Sequence, residues 1–174
     1  MLKYNNTNSD VLLYKDFFVV YKNLISDFFK RKGIASDIEL INNNLINVNR
    51  APLIVLKRTD CPQPPSAALL NENRKYFFGK EQVEGRSINT LNIAVLCYGN
   101  TYLECERLGS GVFEAILTSS IQKIRRVTDN KIVGHELLGW SESRLPNPNS
   151  KLFESRIDFR ITVVFDYADE IIKE

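Results

Sequence analysis

The sequence predicts an α+β fold: one domain spanning residues 1–174, a mostly antiparallel β-sheet with two main helices packed on one face, and a long inserted loop. Three observations predict it. The first is the stretch "LFESRIDFRITVVFDYADE", Leu152 to Glu170, which alternates strictly. Ile157, Phe159, Ile161, Val163, Phe165 and Tyr167 fall on one side, and Arg156, Asp158, Arg160, Thr162, Val164 and Asp166 on the other. Such alternation marks a strand with one face toward a core. The second is the recurrence of apolar residues at helical spacing in two segments, one near the start and one past the middle. The third is the element order itself: helix, strands, long loop, strand, helix, strand, strand, which segregates the helices onto one side of an antiparallel sheet.

Taken in order, residues 1–8 read as a mobile tail. Ser9 or Asp10 caps a helix that runs to about Lys32. Its apolar face is Tyr14, Phe17, Phe18, Tyr21, Leu24, Ile25, Phe28 and Phe29, a broad aromatic stripe suited to core packing or to a partner. Lys30, Arg31 and Lys32 complement the C-terminal dipole, and Gly33 provides the stop. Ile34 to Asn49 holds two short strands around "NNN", and Ala51 to Arg58 reads as a buried strand begun by Pro52. Residues 59–87 form the long loop or arm: "CPQPPS" favours extended, irregular backbone, and Tyr76, Phe77 and Phe78 indicate that part of it packs on something, in an assembly on a neighbouring subunit. A strong strand covers Ser87 to Gly99. A helix follows from about Thr101 to Arg126, opened by Thr101 and Glu104 at capping-box spacing, with Tyr102, Cys105, Leu108, Val112, Ile116 and Leu117 on its buried side. Strands over Lys131 to about Arg144 and Phe153 to Tyr167 complete the domain, joined by the turn "LPNPNSK".

Composition narrows the function by exclusion. Twenty-three basic and 21 acidic residues give a net charge of +2, which argues against a dedicated nucleic-acid binder. No apolar run approaches the roughly 20 residues of a membrane helix, and "MLKYNNTNSD" lacks a signal-peptide core, so cytosolic synthesis and no membrane partner are expected. Cys61, Cys97 and Cys105 are odd in number with no C-x-x-C pair, and the expectation is buried free thiols rather than a disulfide or metal site. His135 is the lone histidine and reads as a structural or surface residue rather than a catalytic base. Gly109-Ser110-Gly111 lies inside an amphipathic helix without the setting of a phosphate loop, so close helix packing is expected there. No catalytic residue, cofactor or metal is assigned. The charged face of the last strand is either solvated or meets a neighbouring subunit, where mixed charges fix orientation.

From Asn89 onward the pattern resembles the tail terminator (tail completion, head-tail joining) proteins of tailed bacteriophages. The pieces that carry the resemblance are "TLNIAVLCYG", "YLECERLGSGVFEAI" and "GHELLGWSESRLPNPNSKLFESRIDFRITVVF", and the first helix and "PLIVLKR" suit the family's opening. The resemblance covers most of the chain apart from the tail and residues 59–87. It implies a non-enzymatic virion protein that forms a homohexameric ring on the head-proximal end of the tail. The implied partners are further copies of itself, the tail tube protein, the head-side connector or stopper protein, and genomic DNA passing through the hole without sequence-specific binding. Another neck, head-completion or tail-ring protein is an alternative. A small cellular ligand-binding protein or enzyme is a different class. In a ring, Arg156, Asp158 and Arg160 on the strand and Gly109 and Gly111 on the helix are expected at the subunit interface, and Tyr76, Phe77 and Phe78 on an inter-subunit arm.

Overall fold

A computed structural model describes residues 9–40, 48–58, 67–77, 80–128 and 131–172. Its order is α1 (Ser9–Lys32), β1 (Asp37–Leu40), β2 (Leu53–Arg58), β3 (Ala67–Phe77), β4 (Lys80–Gly99), α2 (Tyr102–Leu117), α3 (Ile121–Val127), β5 (Ile132–Glu142) and β6 (Phe153–Ile172). The tail at residues 1–8 and any second strand within 41–47 lie outside the described residues.

Helix α1 ends as its sequence predicts. Gly33 adopts φ 65°, a conformation that glycine takes without penalty. Its N–H reaches the Lys30 carbonyl at 3.3 Å, and the Ile34 N–H reaches the Phe29 carbonyl at 3.0 Å. These two bonds satisfy carbonyls that the helix end would otherwise leave open. The stripe Phe17, Phe18, Tyr21, Ile25, Phe28 and Phe29 is buried, which resolves it as core.

Among the described residues, six strands form one mixed sheet in the order β1-β2-β4-β6-β5, with β3 also paired to β4. Only β1 and β2 run parallel among these pairs. Strands β4 and β6 are the spine. All twenty residues of β4 pair with β6, from Lys80 opposite Ile172 to Gly99 opposite Phe153, with no shift of register. On its other edge β4 is shared: residues 93–98 pair with β2, and residues 80–89 pair with β3. The sheet therefore has a wide part, where β1, β2, β4, β6 and β5 lie side by side, and a three-stranded ribbon of β3, β4 and β6.

The segment 59–87 is thus corrected. Its described part is not an irregular loop but a hairpin, β3 with the first residues of β4, in which Phe77 pairs with Lys80. Backbone hydrogen bonding to β4, itself fixed against β6, outweighs the weak alternation of "AALLNENRKYF". Residues 59–66 lie outside the described residues.

The predicted helix over 101–126 is two helices. At the end of α2 the Thr118 hydroxyl donates to the Glu114 carbonyl at 2.7 Å, and the Ser119 hydroxyl donates to the Ala115 carbonyl. Hydroxyls that bond to the preceding turn compete with helix continuation, so "TSS" divides α2 from α3. The break also exposes Leu117, 63% accessible, which was expected on the buried side.

The core lies between the helices and one sheet face. Ile54, Leu56, Ile93, Val95, Ile157, Phe159, Ile161 and Val163 meet α1, α2 and α3. Phe159 is fully buried, with its ring 4.8 Å from that of Tyr21. Each such side chain contributes roughly 1.5–3 kcal/mol by leaving water. A smaller cluster, Leu53, Val55, Leu96, Tyr98 and Leu152, sits apart from this core, with Val48 and Ala51 packed against it.

Candidate assembly surfaces

The second sheet face is built by register. Leu53 is opposite Tyr98, which is opposite Glu154; Val55, Leu96 and Arg156 form the next row; Lys57, Ala94 and Asp158 the next. Asn92, Arg160 and Glu136 continue it. One end of the face is apolar and covered by Leu152, Val48 and Ala51, and the other is polar. Because a strand alternates, the residues that send Ile157, Phe159 and Ile161 into the core must send Arg156, Asp158 and Arg160 to this face.

Arg156, Asp158 and Arg160 are already engaged within the subunit. The Arg156 guanidinium grips the Asp158 carboxylate two residues on, with Nε 3.0 and 2.9 Å from the two oxygens and Nη2 2.9 Å from Oδ1. Their side chains are 39% and 29% exposed, where such a pair stabilises by about 0–1 kcal/mol. Arg160 Nε donates to Asn92 Oδ1 at 3.1 Å, and Asn92 is buried. The result is a half-exposed face of fixed geometry with both signs of charge.

Gly109 and Gly111 are closely packed as expected, but within the subunit, which corrects their expected place at a subunit interface. Both are buried inside the subunit. A Cβ at Gly109 would stand 2.4 Å from Ser155 Oγ and 3.2 Å from Trp140 Nε1; one at Gly111 would stand 2.7 Å from Phe29 Cε1. The two glycines seat α2 against β6 on one side and α1 on the other, and this packing uses the surface that a neighbour was expected to meet. The indole of Trp140 closes over this seat. It donates to Ser155 Oγ at 2.8 Å and stacks on Phe113 with centroids 5.4 Å apart.

The start of α2 is held as the capping spacing predicts. Thr101 Oγ1 accepts from the Glu104 N–H at 3.2 Å, and the Glu104 carboxylate accepts from the Asn100 N–H at 2.6 Å, one residue earlier than the usual reciprocal bond. Asn100 Nδ2 also reaches the Ala51 carbonyl, tying the helix start to the loop before β2.

Among the described residues the two thiols are interior, while the histidine is partly buried. Cys97 and Cys105 are buried free thiols, with Cys105 Sγ 3.4 Å from the Cys97 carbonyl. Burial raises both thiol pKa values, that of Cys105 to about 12, away from the reactive thiolate. Cys61 lies outside the described residues. His135 Nδ1 is 3.3 Å from the Tyr21 hydroxyl, and burial lowers its pKa. The Tyr102 hydroxyl donates to Glu142 Oε2 at 2.9 Å, and that bond, ahead of desolvation, raises its pKa. No group of three or more His, Cys, Asp or Glu poised for a metal occurs among the described residues. A groove of about 610 Å³ lies between α1, α2 and α3, lined by Val20, Leu24, Phe28 and Val127 with Asp27, Arg31 and Lys123.

Tyr76 and Phe77 fall on β3 at the tip of the ribbon, and Phe78 lies just beyond, outside the described residues. The hairpin carried a signal in the sequence: two residues, Phe78 and Gly79, separate paired Phe77 and Lys80, and glycine in a two-residue connection is a hairpin mark. A comparison with protein-family models gives no match to this chain, and a comparison with curated proteins gives none either.

Proposed function

We propose that this chain is a structural virion protein of the tail terminator kind, which forms a ring at the head-proximal end of a phage tail, caps the tail tube and joins it to the head connector. The observation that carries the reading is that the pieces bearing the resemblance, "TLNIAVLCYG", "YLECERLGSGVFEAI" and "GHELLGWSESRLPNPNSKLFESRIDFRITVVF", come together in three dimensions. They make up half of β4 and most of α2, β5 and β6, which pack on one another. This unit leaves a half-exposed face on which Arg156, Asp158 and Arg160 stand in fixed geometry. Mixed charge of that kind sets the orientation of a contact more than its strength. The net charge of +2 suits a ring through which DNA slides, since a strongly basic lumen would hold the phosphates. The homohexameric count follows from the resemblance.

The test is a reconstruction of the neck of the particle, paired with Arg160→Glu. A ring of this chain between tail tube and head connector is expected, with Arg160 at or near a subunit boundary. Reversal is expected to leave tails overlong or heads unjoined while the purified variant melts as a folded protein. Normal particles from a folded Arg160→Glu chain would remove the charged face from the interface. Absence of the chain from the neck would end the reading itself.

A further inference from the structure

Every open sheet has two edges, and exposed edges are templates for pairing with another chain. In the wide part of this sheet the β5 edge is blunted, and the described part of the β1 edge spans Asp37–Leu40. β5 pairs with β6 through two register shifts, between Ile132 and Gly134 and between Leu137 and Gly139, and such irregularities turn an edge away from a newcomer. The ribbon is different. β3 pairs with β4 in unbroken register from Asn71 to Phe77, and the opposite edge of β3 has no partner strand among the described residues. On the far side, the pairing of β5 with β6 ends at Val163, and the Val164 N–H still reaches the Lys131 carbonyl at 2.7 Å. From Phe165 to Ile172 the outer edge of β6 likewise has no partner strand among the described residues. Two regular open edges of similar length therefore flank β4, one on each side.

Their composition is complementary. The β3 edge carries Glu72, Arg74 and Lys75, a net charge of +1, and the β6 edge carries Asp166, Asp169 and Glu170, a net charge of −3. The register places these residues level with one another along the backbone. Arg74 and Asp169 are both opposite Val83, and Lys75 and Glu170 are both opposite Gln82. Like edges brought together would oppose acid to acid along β6, whereas unlike edges bring base to acid.

We infer that the β3 edge of one subunit pairs with the β6 edge of a second copy of this chain, so that the ribbons join side by side into one continuous sheet. Both β3 and β6 run antiparallel to β4, so they run parallel to each other, and a rotation that carries one ribbon onto the next makes this junction parallel. The contact is head-to-tail, the kind that closes into a ring when the rotation permits and continues as a filament when it does not. The inference deepens the ring reading and rests on it for closure alone; the pairing of edges stands on the two edges themselves.

Disulfide trapping in the full chain tests it. Within one subunit β3 and β6 lie on opposite sides of β4, so their Cα atoms are about 9–10 Å apart. A disulfide needs about 4.4–6.8 Å, so a cysteine on β3 and another on β6 can join only between subunits. In a Cys61→Ser background, Lys75→Cys chains are mixed with chains carrying Asp166→Cys, Ala168→Cys, Glu170→Cys or Ile172→Cys and oxidised at high protein concentration. One position in this scan is expected to give a mixed dimer in about tenfold excess over dimers of either variant alone, a factor equivalent to about 1.4 kcal/mol. Lys75→Cys dimers forming as readily as mixed ones would overturn head-to-tail pairing, and no mixed dimer at any scanned position would overturn edge pairing altogether. Native mass spectrometry of the unmodified chain keeps the two ideas apart. A closed ring that fails to trap refutes the edge inference and leaves the ring, whereas trapped open chains that never close support the edges and count against the ring.

Discussion

At His135 one side chain links burial to pH. Its Nδ1 is 3.3 Å from the Tyr21 hydroxyl, and desolvation holds its pKa below the ordinary value of about 6.5. Above that value the imidazole is neutral in both folded and unfolded chains, and the contribution to stability is complete. As pH falls through about 6.5 the unfolded chain gains a proton that the folded chain resists, so stability is lost until the lower folded value is passed. Urea midpoints measured between pH 7.5 and 5.5 are expected to fall for the native chain and to fall less for His135→Gln; parallel curves would mean that the imidazole is not the group responsible. At this scale the sequence was informative wherever one residue sat in a strict pattern. Phe159, Ile161 and Val163 point inward as alternation requires. Asn92 was not legible as the partner of Arg160, because the bond joins residues 68 apart and depends on strand pairing that no local pattern specifies.

Helix α2 shows how two glycines set the spacing of an element. Gly111 lets the helix approach α1 until a Cβ would stand 2.7 Å from Phe29 Cε1, a distance that side-chain carbons do not tolerate. Gly111→Ala is expected to destabilise the fold by about 1–3 kcal/mol, the usual cost of overpacking, despite the better helix propensity of alanine. Gly139→Ala is the control, since an added Cβ there meets nothing within 4 Å. Denaturant titration of both variants checks this, and equal midpoints would mean that Phe29 moves aside without cost. The glycine pair was recognisable as a packing device from its place on an amphipathic helix. Which partner it packs on was not, and the division of α2 from α3 was hidden because Leu117, Ile121 and Ile124 continue the apolar spacing across the break.

Across the whole molecule, packing is uneven. Strands β4 and β6 are covered by helices along the wide part, while β3 packs mainly on β4. Amide exchange tracks such differences, because segments with fewer packed neighbours open at lower free energy. In the isolated chain, amides of residues 71–77 are expected to exchange faster than those of residues 93–97 and 157–163, and to become protected in assembled particles. Equal protection of the ribbon and the core in the isolated chain would count against a role for the ribbon in assembly. The α+β class, the single helical layer and the core strands were legible because each rests on a periodicity. The ribbon was not, since "CPQPPS" signals irregular backbone just before it, and β3 and the first half of β4 do not alternate cleanly. Long-range pairing with β6 supplies what local pattern withholds.

The unbroken pairing of β4 with β6 makes the molecule a ruler. Twenty residues of extended chain span about 65 Å, with one end anchored in the core by Ile93, Val95, Ile157 and Phe159. A slip of one residue anywhere along this pair would turn those side chains out of the core, so the core forbids it. The distant ends of the strands inherit that indexing without needing any of their own. Whatever meets the ribbon therefore meets graduations cut elsewhere: the height at which a neighbour engages is calibrated by side chains it never touches.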